Sequence, residues 1–169
     1  LYHSISESED DPFSIHPNHF KEQVAWLIDN GYELISHGGF MTRMANRQRL
    51  SRCIVLTFDD GYQDFYMNAL PILVRFSLPA IVFIPTVLTG SESSWNANHP
   101  PKKLMDFNQV RATIQAGCEI GSHSASHLSL TQLSAKELER DLRESLQFVK
   151  SLPGGQPACL AYPYGRAGA

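Results

Sequence analysis

The stretch CIVLTFDDGY, residues 53–62, decides how this chain is read. Its first six residues are apolar or β-prone without polar alternation, the pattern of a fully buried strand. That strand ends on two adjacent carboxylates, Asp59 and Asp60, followed by Gly61. Two like charges side by side repel, so the pair is costly unless a cation or a proton is shared between them. Asp-Asp-Gly alone is commonly a plain turn, because Asp and Gly are turn residues. The rest of the chain decides between a turn and a site.

Working outward, β-like runs alternate with helical patterns. Upstream, Phe20, Val24, Leu27 and Ile28 follow helical spacing, with Gly31 as a C-terminal stop. Downstream, residues 64–77 read as helical, with Pro71 marking a kink or a restart. AIVFIP (80–85) is a second strand, followed by a polar loop through GSESSWNANHPPKK. Asp106 with Gln109 forms a capping box ahead of an apolar face of Phe107, Val110 and Ile114, and Gly117 ends that helix. CEIGS (118–122) is a third strand. Ser134 with Glu137 is a second capping box, and Leu138, Leu142, Leu146 and Val149 share a face of the long helix behind it. CLAYP (159–163) is a last strand. Strands separated by helices imply βαβ units and a parallel sheet.

Functional groups of parallel α/β folds gather at the carboxyl ends of the strands. Asp59 and Asp60 follow the first of these strands, His123 and His127 the third, and YPYG the last; after AIVFIP come only Thr86 and apolar residues. One carboxylate with two imidazoles suits zinc or a similar divalent ion, and three protein ligands leave a position for water, the pattern of a catalytic site. Such an ion acidifies its water toward neutral pH, and the second carboxylate is then placed to take the water proton. Nearby positive charge also offsets the repulsion between the aspartates. His16 and His19, three apart at a helix start, read as solvated.

Bulk properties bound the rest. With 169 residues and a formal net charge of −3, the chain fits one domain, and no basic stripe supports nucleic-acid binding. The apolar runs are too short to span a membrane. Cys53, Cys118 and Cys159 match no zinc-ribbon or CxxC spacing, and each opens an apolar segment, so they read as small buried hydrophobes. LYHSISESEDD is no signal peptide, and both ends read as cut.

TFDDG, HSASH and AYPYG resemble the first three motifs of the polysaccharide deacetylases with a NodB-homology domain, carbohydrate esterase family four. The resemblance extends to the opening LYHSI, to NALPILVRFSLPAIVFI and to AGCEIGSHSASHLSLTQLS, nearly the whole chain. It implies a single NodB-type domain over residues 1–169, a distorted (β/α) barrel of about seven strands, truncated at its C-terminus. It implies metal-dependent removal of N-acetyl groups from N-acetylglucosamine polymers, with metal-bound water as nucleophile. By position, Asp59 matches the general base; Asp60, His123 and His127 match the metal ligands; and Tyr164 matches the residue whose backbone N–H helps hold the oxyanion. The metal implied is Zn2+, with Co2+, Ni2+ or Mn2+ as alternatives. The implied partner is an acetylated amino-sugar polymer or oligomer, and the implied location is outside the cytoplasm.

Departures stand beside the matches. Many members carry an arginine in the third motif where Ala161 and Tyr162 stand here, and many have a proline where Tyr62 follows Gly61; both variants look like the branch acting on exported glucosamine polymers. The later motifs, which supply the acid that protonates the leaving amine, have no match after Gly165, and His3 is the one candidate within the chain. The expectation is a chain that binds a divalent metal and hydrolyses acetamides poorly unless His3 or Asp59 supplies that proton. Alternative readings are a metal-dependent amidase or deformylase on a non-polymeric substrate, and a degenerate glycan-binding barrel.

Overall fold

In the computed structural model, which describes residues 1–8, 11–95 and 99–167, every ladder between strands is parallel. β1 (Ser4–Ile5) pairs with β2 (Ser14–Ile15), and β3 (Glu33–Leu34) with β4 (Cys53–Ile54). β5 (Thr57–Phe58), β6 (Ile81–Ile84) and β7 (Glu119–Ser122) form a sheet in that order. A bridge from Tyr2 to Phe58 ties the β1 segment to one edge of this sheet, and one from Ser122 to Leu160 adds the last apolar segment to the other. Helices α1 (Pro17–Asp29), α2 (His37–Ala45), α3 (Leu70–Phe76), α4 (Phe107–Gln115) and α5 (Ala135–Ser151) follow β2, β3, β5, β6 and β7 in turn. Parallel strands need such crossovers, and the result is the expected partial α/β barrel with seven short strands among the described residues. No helix among them is long and apolar enough to cross a membrane.

Both capping boxes form: Asp106 and Gln109 start α4, and Ser134 and Glu137 start α5. Gly31, at φ 73°, follows α1 as its stop. One core runs under the sheet, with Phe20, Phe58, Phe65, Val82, Val110 and Ile120 fully buried within it. Three aromatic rings, Phe20, Phe58 and Phe65, meet edge to face at centroid distances of 5.7 and 4.7 Å, a favoured geometry.

Several elements differ from the sequence reading. CIVLTF is two strands: residues 53–54 pair with β3, and residues 57–58 change partner to β6 and Tyr2. Ile54 and Val55 are consequently half-buried. Residues 64–77 hold a π-helical turn, Phe65–Ala69, followed by α3. Pro71 sits in the first turn of α3, directly after that π-helical turn, and the backbone stays helical through Ala69 and Leu70, so the proline marks a change of helix type rather than a break. Ile28 and Phe107 face outward. The buried stripe of α5 is Asp141, Ser145 and Val149, while Leu146 is exposed. Of the cysteines only Cys118 is buried; Cys53 and Cys159 are half-buried, and all three are free thiols. Residues 96–98 of the polar loop after β6 lie outside the described residues.

Candidate active site and metal centre

Asp60 sits just past β5 in a left-handed conformation, φ 71°, and Gly61 follows at φ 65°. Glycine is required at position 61 twice over. A Cβ there would lie 2.6 Å from Cγ2 of Ile84 at the end of β6, and positive φ disfavours any side chain. This tight crossing brings the β5 and β6 ends together and turns the Asp60 carboxylate inward, where the residue is 5% exposed. Past β7, His123 and His127 are buried at the two ends of a five-residue loop. Their Nε2 atoms lie 3.4 and 3.0 Å from Oδ1 of Asp60.

These three residues form a set able to hold a metal ion, with one ligand atom from each and all within 4.8 Å of one another. The donor chemistry fits. Nδ1 of His123 donates to the Ala161 carbonyl at 2.9 Å, which leaves Nε2 with its lone pair toward Asp60. Two neutral imidazoles and one carboxylate, all buried, are the ligand types of a zinc-like centre with a coordination position to spare. Burial alone would push the Asp60 carboxyl up, but the imidazoles of His123 and His127 against it hold it well below the usual carboxylate range. Burial alone would lower His123; the bonded Asp60 and the charges of Asp59 and Asp60 raise it instead.

Asp59 is half-buried beside this set, and its backbone N–H donates to the Tyr2 carbonyl at 2.9 Å. Burial raises its pKa against the opposing influence of His123 and His3, with the neighbouring Asp60 adding to the rise. A base moved toward neutrality in this way is better matched to proton transfer near pH 7.

Asp59, Asp60, His123 and His127 all line one cavity of about 720 Å³. Its remaining wall is largely aromatic: Phe13, Tyr62, Trp95, Tyr162 and Tyr164. Trp95 lies nearly parallel over the His127 ring at 3.9 Å, and Tyr164 meets that ring edge-on at 5.0 Å. Tyr164 stands in the turn Pro163–Gly165 at φ 59°, so YPYG is a turn and also a cavity wall. His3 lines the cavity too; it precedes β1 rather than following a strand. His16 and His19 lie elsewhere, with His19 exposed and His16 capping α1 by accepting from Asn18 N–H.

Sequence reasoning missed Trp95, which sat inside a run read as a polar loop; a lone tryptophan there was the available signal. It also missed how that run is anchored. Lys102 reaches back to Asp11 and to the Ser4 hydroxyl, pinning the segment that carries Trp95 against β1.

Against this geometry stand the likenesses to known proteins. A family model described as polysaccharide deacetylase matches residues 46–169. YxkH of Bacillus subtilis (strain 168) is 27% identical over 167 residues, covering 98% of this chain and 56% of that protein. The poly-beta-1,6-N-acetyl-D-glucosamine N-deacetylase of Staphylococcus aureus (strain MSSA476) is 26% identical over 171 residues, covering 98% of this chain and 58% of that protein. The chain thus spans 56–58% of the length of these two curated relatives. Among solved structures, the Streptococcus pyogenes deacetylase PplD in complex with acetate superposes with a TM-score of 0.84 at 25% identity, covering 99% of this chain and 73% of that one.

Proposed function

The chain belongs to the polysaccharide deacetylase family, and on that premise we propose that it is a metal-dependent hydrolase removing N-acetyl groups from N-acetylglucosamine polymers, with zinc as the ion. The observation that carries this reading is the convergence of Asp60, His123 and His127 beside a second carboxylate, Asp59, in an aromatic-walled cavity. The Staphylococcus aureus relative supports the polymer, and the acetate in PplD is the small product that such a reaction releases.

Asp60, His123 and His127 would hold a divalent ion, which would supply Lewis acidity and bring the pKa of water toward neutrality. The chain's own residues do the rest. Asp59, with its raised pKa, takes the proton of the attacking water. The water oxygen adds to the acetamide carbon, and the backbone N–H of Tyr164 donates to the oxygen that gains charge. The C–N bond then breaks, and His3, on the same cavity wall, gives its proton to the departing nitrogen. Acetate and a free amine result. The exposed rings of Tyr162 and Tyr164 hold the sugar, and Trp95, stacked on His127, helps to exclude water from the reacting carbon.

Carboxylate release by the zinc-loaded protein tests this reading, with acetate from β-1,6-linked N-acetylglucosamine oligomers set against acetate from small acetamides and formate from small formamides. Release from the oligomers alone is expected. Turnover of the small amides alone would move the activity to a non-polymeric substrate, and oligomer binding without release would make the protein a glycan binder.

A further inference from the structure

We propose that Asp141, on α5, is a positioning residue for the metal centre, holding the loop between His123 and His127 in the shape that aims both imidazoles at Asp60. The proposal rests on the reading of those three residues as metal ligands.

The loop is an unfavourable one for its sequence. Ser124 and His127 are non-glycine residues at φ 63° and 58°, a region that costs energy and persists only where surroundings over-determine it. Three sets of contacts do so. Within the loop, Ser124 N–H donates to the Ser122 hydroxyl at 3.1 Å and His127 N–H to the Ser124 hydroxyl at 2.9 Å. From the end of β6, the N–H groups of Thr86 and Val87 donate to the carbonyls of Ser124 and Ala125 at 3.2 and 3.1 Å. From α5, the Asp141 carboxylate accepts from Ala125 N–H at 2.8 Å, Ser126 N–H at 3.2 Å and the Ser126 hydroxyl at 2.6 Å.

The Asp141 contacts differ from the others in kind. Asp141 is 7% exposed, and no lysine or arginine among the described residues pairs with it. A buried carboxylate without a cation is costly unless hydrogen bonds satisfy it. All three of its bonds come from residues 125 and 126, midway between the two histidines. One turn further along α5, the Ser145 hydroxyl meets that of Ser122 at 2.9 Å, so the same helix face fixes the root of the loop. Metal binding needs its ligands held to about 0.5 Å, and Asp141 grips the backbone whose displacement moves both rings together.

Asp141→Asn keeps the volume but replaces one accepting oxygen by an NH2, which faces the loop's donors with donors of its own. Zinc affinity of the full chain by competition with a chromophoric chelator, and the visible spectrum of the cobalt-loaded form, read the centre directly. Circular dichroism and the melting temperature of the metal-free protein read the fold. The expected result is a native metal-free fold with zinc affinity down about 10- to 100-fold, the range for partners outside the ligand set, and an altered cobalt spectrum. Ser126→Ala, which removes one bond of the three, is expected to lose less, and Glu144→Gln, on the exposed side of α5, to lose nothing. Wild-type affinity and spectrum in a folded Asp141→Asn would overturn the role of Asp141 while leaving the ligand assignment intact. If Asp141→Asn does not fold, Ser126→Ala decides, and unchanged affinity there overturns the proposal. A wild-type chain that binds no zinc would bring down the ligand assignment and this inference together.

Discussion

Replacing His127 by alanine removes the imidazole whose Nε2 lies nearest Oδ1 of Asp60. The consequence is worked from linkage. An ion that binds only the folded chain stabilises it by RT ln(1 + [L]/Kd), about 2.7 kcal/mol at a free zinc concentration of 100 times Kd. Unfolding entropy near the midpoint is about 2.1 cal/mol/K per residue, so 169 residues give about 0.35 kcal/mol/K. The ratio predicts that zinc raises the Tm of the wild-type protein by about 8 °C. Removing a direct ligand costs at least the roughly 100-fold in affinity found at the upper end for outer partners. At the same zinc concentration the shift then falls to about 1 °C. His127 is also buried under Trp95, so the variant is less stable without metal; each protein is therefore compared with its own chelated form by differential scanning fluorimetry. A zinc shift in His127→Ala as large as in the wild type would refute the assignment of His127 as a ligand.

Asp59→Asn is expected to keep the zinc shift and lose about 10²–10⁴ in kcat on acetylated oligomers, because an amide cannot take the water proton; near-native turnover at neutral pH would remove the base role. Gly121→Ala places a Cβ 2.5 Å from the Phe83 ring and 3.0 Å from Sγ of Cys159, and overpacking of this kind costs about 1–3 kcal/mol, a Tm loss of several degrees that calorimetry would register. The pH dependence follows from the two shifted groups. The raised His123 contributes stability that is present below the ordinary imidazole pKa of about 6.5 and lost as pH rises through its folded value. The lowered Asp60 contributes stability that is present above about 3.9 and lost as pH falls through its own folded value. Their joint contribution to the metal-free protein is therefore greatest between about pH 4 and 6.5. Zinc requires neutral imidazoles, so the zinc-induced Tm shift should grow from about pH 5.5 to 7.5, and a shift independent of pH over that range would contradict the two-histidine site.

What the sequence determined by itself was whatever depends on near neighbours along the chain. Asp106 with Gln109 and Ser134 with Glu137 start their helices because a cap and its N3 partner are three residues apart. The run Ile81–Ile84 is a strand buried on both faces. Asp60, His123 and His127 were readable as a set because parallel strands must end on one side, so residues that follow different strands meet there. The tertiary structure alone decided whatever depends on which element lies opposite. Cys53–Phe58 looked like one strand because nothing in its composition records that the first two residues face β3 and the last two face β6. Apolar spacing put Leu146 inside and left Asp141 unremarked, yet Asp141 is buried because the donors that satisfy it belong to a loop some fifteen residues away. His3 and Trp95 enter the cavity by the same logic. The Tyr2–Phe58 bridge brings one to the Asp59 strand end, and Lys102 anchors the segment bearing the other, so their places follow from long-range pairings that no local pattern encodes.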